Sequence, residues 1–445
     1  MTGGLRIGEL LQLLKFEDPG AALHAQIERL YPICRSITGD GVRQTLAVLK
    51  EHLPLEIHEV PSGTPVLDWV VPREWNVKDA YVKNSCGERV IDFRRHNLHV
   101  MGYSVPVAAK MRLAELEPRL YSLPDHPGWI PFRSSFYSDN WGFCLSHDEL
   151  TKLPDDEYEV RIDSTLEDGS LTYGELFVPG QTADEILLSA HVCHPSLCND
   201  NLSGISVQCL LARYVSALAG AGRPARYSYR FVFAPVTIGA ITWLARNEDT
   251  VRRVRHGLVL TLLGDSGPIT YKRSPRGDAA IDRAAANVLG TSRDEHRIQD
   301  FSPYGYDERQ YCSPGFDLPV GSLMRTPYMQ FPEYHTSGDN LDFVKPESLA
   351  DSLGKLLAIL DVLERDATFL NLSPKGEPQL GRRGLYRALA ERTDDGSAEL
   401  AMLWVLNQSD GKHSLLDIAE RAGMRFESIA NAAAMLTEAQ LLERV

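Results

Sequence analysis

Four apolar runs alternate with helical stretches, and this alternation constrains the fold more than any other feature. DEILLSAHV (184–192) precedes a long apolar helix at 203–218, and RYSYRFVFAP (226–235) precedes a helix at 239–250. HGLVLTLLGD (256–265) precedes a helix at 278–290, and LPVGSLM (318–324) precedes one at 347–365. Continuous apolar runs of strand length between helices predict an α/β domain, with a mostly parallel, mixed sheet covered by helices on both faces. In such sheets functional side chains gather at the carboxyl ends of the strands. His191 and Asp265 each close an apolar run, so both are expected there.

The flanking segments have different textures. Residues 20–53 carry two helical patterns, broken at 36–41 and followed by the β-type run LEIHEV (55–60). From 61 to 157 the chain is rich in Trp, Tyr and Pro, and strand-like pieces alternate with turn residues. The expected organisation is an α/β metal-binding domain from 1–60 and 158–375, an inserted β-rich domain over 61–157, and a winged-helix-like domain over 380–445. SAELAMLWVLNQ, SLLDIAERAG and RFESIANAAAMLTEAQ supply the three helices of that last domain.

The chemistry concentrates in HVCHPSLCNDNLSG (191–204). An imidazole at a strand end and a carboxylate ahead of a helix, His191 and Asp200, are both good Zn²⁺ ligands. Taken alone, the segment is equally a polar loop with satisfied core histidines. LTLLGDSG adds Asp265, a carboxylate that is costly to bury unless paired or metal-bound. FPEYHTSGDNLDFV adds His335, with Asp339 as an outer-shell partner. His194 reads first as an outer-shell group, with ligand or proton-shuttle roles as alternatives.

Together with YGYDERQYCSPGFDLPV, these motifs closely resemble the co-catalytic zinc aminopeptidase superfamily. They are most similar to a bacterial aminopeptidase-like branch with an inserted N-terminal β-rich domain and a C-terminal winged helix. VLDWVVPREWNVKDAYV, NLHVMGYSVPV and FRSSFYSDNWGFCL resemble the inserted domain, so the likeness covers nearly the whole chain. The resemblance implies a two-metal site, with one ion on His191, the other on Asp265 or His335, and Asp200 bridging. It implies one or two Zn²⁺ ions, or another divalent metal, as cofactor. The chain departs from the branch at one point. Where the branch carries a glutamate resembling the general base, within P-E-T-I-G, this sequence reads PVTIG with Val236. Valine neither takes a proton nor binds metal, and loss of a positioned acid/base costs about 10²–10⁴ in rate. Asp307, Glu308 and Glu333 are the candidate substitutes. Glu308 and Asp307 are alternatively partners for a substrate amine, Arg309 for a carboxylate, and Tyr334 is a further substrate-binding candidate.

The expected activity is hydrolysis of a small peptide or aminoacyl amide. The alternative is a divergent metal-binding member that performs another reaction on an amino-acid-like ligand or acts as a binding or scaffold subunit. A net charge of −14 argues against nucleic acid and anionic membranes as partners, and ranks a transcription regulator last. No run approaches the roughly 20 apolar residues of a membrane span. The N-terminus lacks a signal-peptide pattern, and seven cysteines without CxxC spacing point to a reducing compartment, so a cytoplasmic protein is expected. Homo-oligomerisation is compatible with the composition.

Overall fold

The computed structural model describes residues 4–385 and 397–445; residues 386–396 of the expected tail domain lie outside them. Eight strands form the main sheet: β1 (Glu56–Pro61), β2 (Ser170–Val178), β3 (Glu185–His191), β4 (Ser228–Ala234), β5 (Val254–Leu260), β6 (Ile269–Lys272), β7 (His296–Gln299) and β8 (Val320–Met324). Their spatial order is β1-β2-β4-β3-β5-β8-β6-β7. β3 is parallel to both its neighbours, β4 and β5, and β8 continues the parallel run, whereas β1, β2 and β6 bring antiparallel pairings. The sheet is therefore mixed, with a parallel centre.

Among the helices are α1 (Pro19–Leu30), α2 (Asp40–Lys50), α3 (Gly204–Gly220), α4 (Ile238–Arg246), α5 (Ala280–Gly290), α6 (Pro346–Arg365), α7 (Ser397–Gln408), α8 (Leu415–Ala422) and α9 (Phe426–Glu438). Side chains of β3 alternate between two cores, as the period of a strand requires. Ile186, Leu188 and Ala190 pack into the core under α1, α3 and α6, while Leu187 joins the core under α4. Burial on both faces explains why β3 reads as an uninterrupted apolar run.

Between β1 and β2 the chain builds a separate four-stranded antiparallel sheet from Glu74–Lys83, Arg89–Asp92, Val107–Arg112 and Glu157–Glu167. The last of these strands belongs wholly to the small sheet, so the return to the main sheet falls at Ser170. Trp75, Val82, Tyr158 and Val160 of the small sheet share their core with α4. The tail combines α7–α9 with a three-stranded sheet from Thr368–Asn371, Asp410–Ser414 and Leu442–Arg444.

One expectation needs correction. The helical stretch Cys198–Gly220 is long and apolar enough to cross a membrane by length and composition. Of its most apolar 18-residue window 78% is buried within the protein, where the stretch serves as a core helix under β3. All seven cysteines are free.

Candidate metal centre

Strand β3 ends at His191 in register with Ala234 of β4, at the carboxyl edge of the parallel centre. Beyond it the chain loops through buried residues 192–203 before α3 begins. Gly204 opens that helix. A Cβ there would collide with the Leu260 carbonyl and the Asn201 side chain, so only glycine lets the loop close against β5.

The loop delivers Asp200 to the strand end. His191 Nε2 lies 2.9 Å from Asp200 Oδ1, and His335 Nε2 lies 3.0 Å from Asp200 Oδ2. One ligand-capable atom from each of His191, His194 and Asp200 lies within 4.8 Å of the other two. Burial alone would raise the Asp200 carboxyl, but the imidazoles of His194, His191 and His335 outweigh it and hold the group well below the usual range. Burial pushes the His194 imidazole down to about 3, so it is a neutral nitrogen donor at ordinary pH. Imidazoles gathered around a carboxylate are a donor set suited to one tetrahedral divalent cation such as Zn²⁺.

The second layer fixes this geometry. Asp339 accepts from the backbone N–H of Asn199 at 2.6 Å and of Asp200 at 2.9 Å. Arg35, fully buried, donates from Nε to the His194 carbonyl at 2.9 Å and from Nη1 to the Leu30 carbonyl at 2.8 Å. Burial lowers its guanidinium to about 10. His335 sits at φ +57°, a left-handed conformation rare for a side-chain-bearing residue and concentrated at functional sites.

Aromatic rings enclose the cluster. Tyr306 stacks on His191 with centroids 4.9 Å apart, and Tyr334 stacks on His335 at 4.0 Å. Phe132, from the inserted domain, lies 5.2 Å from the His194 ring and 5.1 Å from that of His335. Its backbone N–H donates to the His335 carbonyl at 2.8 Å. The Tyr306 hydroxyl points toward Thr261 and Tyr334 without completing a hydrogen bond.

The structure brings together His191, Asp200 and His335, with His194 among them and Asp339 directly behind. It does not bring in Asp265. That carboxylate accepts from Asn199 Nδ2 at 3.0 Å, Gly267 N at 2.8 Å, Thr326 N at 3.2 Å and Thr326 Oγ1 at 2.5 Å. The cause is local: β5 stops at Leu260, Leu262 takes a φ of +51°, and the chain has left the sheet edge before it reaches Asp265. Glu308 is not a free base either, because Lys272 Nζ holds it at 2.9 Å, both groups being buried. Its neighbour Asp307 is buried with Oδ1 unpartnered, and burial together with Glu308 raises its carboxyl well above the usual range. The Arg309 Nε is likewise buried without a partner. Glu333 is half-buried, and its carbonyl accepts from Thr336 Oγ1 at 2.9 Å. Phe132 was not among the expected site residues; its segment resembled the inserted domain, and a phenylalanine by itself signals no chemistry.

Val236 follows β4, and its N–H donates to Cys193 Sγ at 3.3 Å. Its side chain packs on the apolar core under α4. Thr261 follows β5, with Oγ1 buried and unpartnered. The strands on either side of β3 are thus followed by Val236 and Thr261.

This arrangement defines an aminopeptidase-like α/β fold carrying a C-terminal winged helix. The chain belongs to the family described as a domain of unknown function (DUF4910), which matches residues 24–366, and a winged helix-turn-helix family matches residues 367–444. A Clostridium acetobutylicum protein, described as a polysaccharide biosynthesis protein with an aminopeptidase-like domain, is 53% identical over 96% of this chain and 97% of its own. A crystal structure from C. acetobutylicum, described as a peptidase, superposes with a TM-score of 0.90 at 52% identity, covering 96% of both chains. At the level of fold alone, a zinc aminopeptidase from Bacillus subtilis matches with a TM-score of 0.54 and 11% identity, over 77% of this chain and 94% of its own. A peptidase M28 precursor from Shewanella amazonensis also gives 0.54, at 14% identity over 80% and 96%.

Proposed function

We propose that the chain is a metal-dependent hydrolase of a small peptide or aminoacyl amide. The convergence of His191, His194 and Asp200 at the end of β3, with His335 on the second oxygen of Asp200, carries this reading. A bound Zn²⁺ would supply Lewis acidity and an activated water. The chain's own part is to hold and enclose. Asp339 fixes the loop that presents Asp200, and the rings of Phe132, Tyr306 and Tyr334 pack against the imidazoles.

The position of the superfamily's proton acceptor is taken by Val236, and Asp307 is the substitute we favour. It is buried, its Oδ1 has no partner, and it lies in the neighbourhood of Cys193, the residue that accepts from the Val236 N–H. A carboxyl raised by burial is suited to exchange protons near neutral pH. The Clostridium relative's description supports a biosynthetic amide over bulk peptide as substrate. Seven free thiols support a cytoplasmic setting.

The test is turnover of aminoacyl amides by purified protein before and after chelation. Chelation and His191→Ala are each expected to abolish it, and Asp307→Asn to reduce kcat by about 10²–10⁴. An undiminished rate in His191→Ala overturns the reading. The second reading, a metal-binding member without peptidase activity, is favoured by Val236 itself. Under it, Val236→Glu produces aminopeptidase turnover that the parent lacks.

A further inference from the structure

We infer that this pocket takes one divalent cation, held by His191, His194 and Asp200, instead of a pair bridged by Asp200. The inference rests on the metal-dependent reading above and goes beyond it by fixing the number of ions and the ligand set.

The argument is one of donors and charge. β3 is flanked by β4 and β5, so three strand ends border the pocket. Only the central one presents a ligand, His191. Val236 after β4 has no donor atom, and Thr261 after β5 offers a neutral hydroxyl. Apart from Asp307, the proposed proton acceptor, whose Oδ1 is free, the nearby carboxylates are engaged elsewhere. Asp265 is saturated by Asn199, Gly267 and Thr326; Asp339 accepts two backbone N–H groups; Glu308 is paired with Lys272. A second cation at Asp200 Oδ2 would have His335 beside it.

Charge points the same way. Two divalent ions would bring four positive charges to a buried pocket in which Asp200 is the carboxylate held between His191 and His335, with the guanidinium of Arg35 packed behind the loop. Uncompensated buried charge is expensive, because the protein interior solvates ions far less well than water. A single ion meets three ligand atoms that already lie within 4.8 Å of one another, in the pattern of two imidazoles and one carboxylate that leaves a fourth position open. His335, with its side chain 34% exposed, then stands at the mouth, hydrogen-bonded to the ligand Asp200.

Metal-free full-length chain, equilibrated with Zn²⁺ by dialysis and analysed by atomic absorption, is expected to bind one ion per chain. Two ions overturn the inference and leave the metal-dependent reading standing; none overturns that reading itself. His194→Gln is expected to weaken Zn²⁺ more than the 10–100-fold typical of an outer-shell change. A loss under tenfold removes His194 from the ligand set. The double variant Val236→Glu/Thr261→Asp, which returns donors to both flanking strand ends, is expected to bind two ions. If it too stops at one, missing donors are not the reason and the inference fails.

Discussion

Truncating Asp265 to alanine separates a metal ligand from a loop staple. The side chain is 2% exposed and accepts four hydrogen bonds, from Asn199 Nδ2, Gly267 N, Thr326 N and Thr326 Oγ1. Asp265→Ala leaves three N–H donors without their acceptor. At about 1–3 kcal/mol for each unsatisfied buried donor, partly relieved by water entering the vacated volume, the loss is about 3–5 kcal/mol. The thermal midpoint should then fall by roughly 10 °C, at about 2–4 °C per kcal/mol for domains of this size. Metal stoichiometry should not change, because none of these bonds reaches His191, His194 or His335. The assay pairs urea unfolding with metal analysis of the same preparation. Asp265→Asn, which keeps an acceptor oxygen for Thr326, should recover part of the stability. A variant that unfolds like the wild type yet has lost its metal would refute the reasoning and return Asp265 to the ligand set.

Burial lowers His256 to about 4, so the folded protein refuses a proton that the unfolded chain takes up below about 6.5. Stability is therefore lost as pH falls through that window. Wild type should lose about 2–3 kcal/mol more than His256→Phe between pH 7 and pH 4.5, read from denaturant midpoints at each pH. Phe132→Ala removes the ring over His194 and His335 while keeping the backbone bond to His335; His194 should then react faster with diethyl pyrocarbonate, followed by mass spectrometry. Arg283 bridges α5 to Asp417 and Glu420 of the winged helix. Arg283→Ala should cost about 1 kcal/mol in low salt, and the difference should shrink at 1 M salt, where screening weakens such pairs. Fluorescence anisotropy with duplex DNA should show no salt-dependent binding.

Much of the fold follows from two periods. The apolar runs ending at His191, Ala234 and Leu260 are long and buried on both faces, which no helix of that length matches, and they became the parallel centre. β6 and β7 were missed because they are four residues each, and β7, HRIQ, is mostly polar and only partly buried. The strand-end rule found His191. It misled at Asp265, because LTLLGD reads as one run although the chain turns out of the sheet at Leu262. His194 lies three residues past the strand end, where periodicity no longer fixes direction; its place beside His191 and Asp200 depends on Arg35, far away in sequence, holding its carbonyl. Glu308 looked available because the sequence gives no sign that Lys272 folds against it. Phe132 was illegible for the same reason, since its meaning lies in a contact with a loop 203 positions later.

The two appendages bear on the centre unequally. The inserted domain reaches it: the segment around Phe132 pairs with the His335 loop, with a backbone bond from Ser337 to Ile130 and a bridge between Pro131 and Thr336. Any ligand approaching the imidazoles therefore meets a wall built by both domains. The winged helix packs instead against α5 and α6. Its helix α9 begins at Phe426, whose N–H donates to Asn287 Oδ1 of α5 at 3.0 Å and whose ring is buried. In a DNA-reading winged helix, the N-terminal residues of that helix must be free to enter the major groove. Here they are docked on the body, and FESIANAAAMLTE supplies two carboxylates and no cation to meet phosphates. Reading DNA would require undocking α9 from α5, so the physical role this packing supports is that of a brace on the helices behind the sheet.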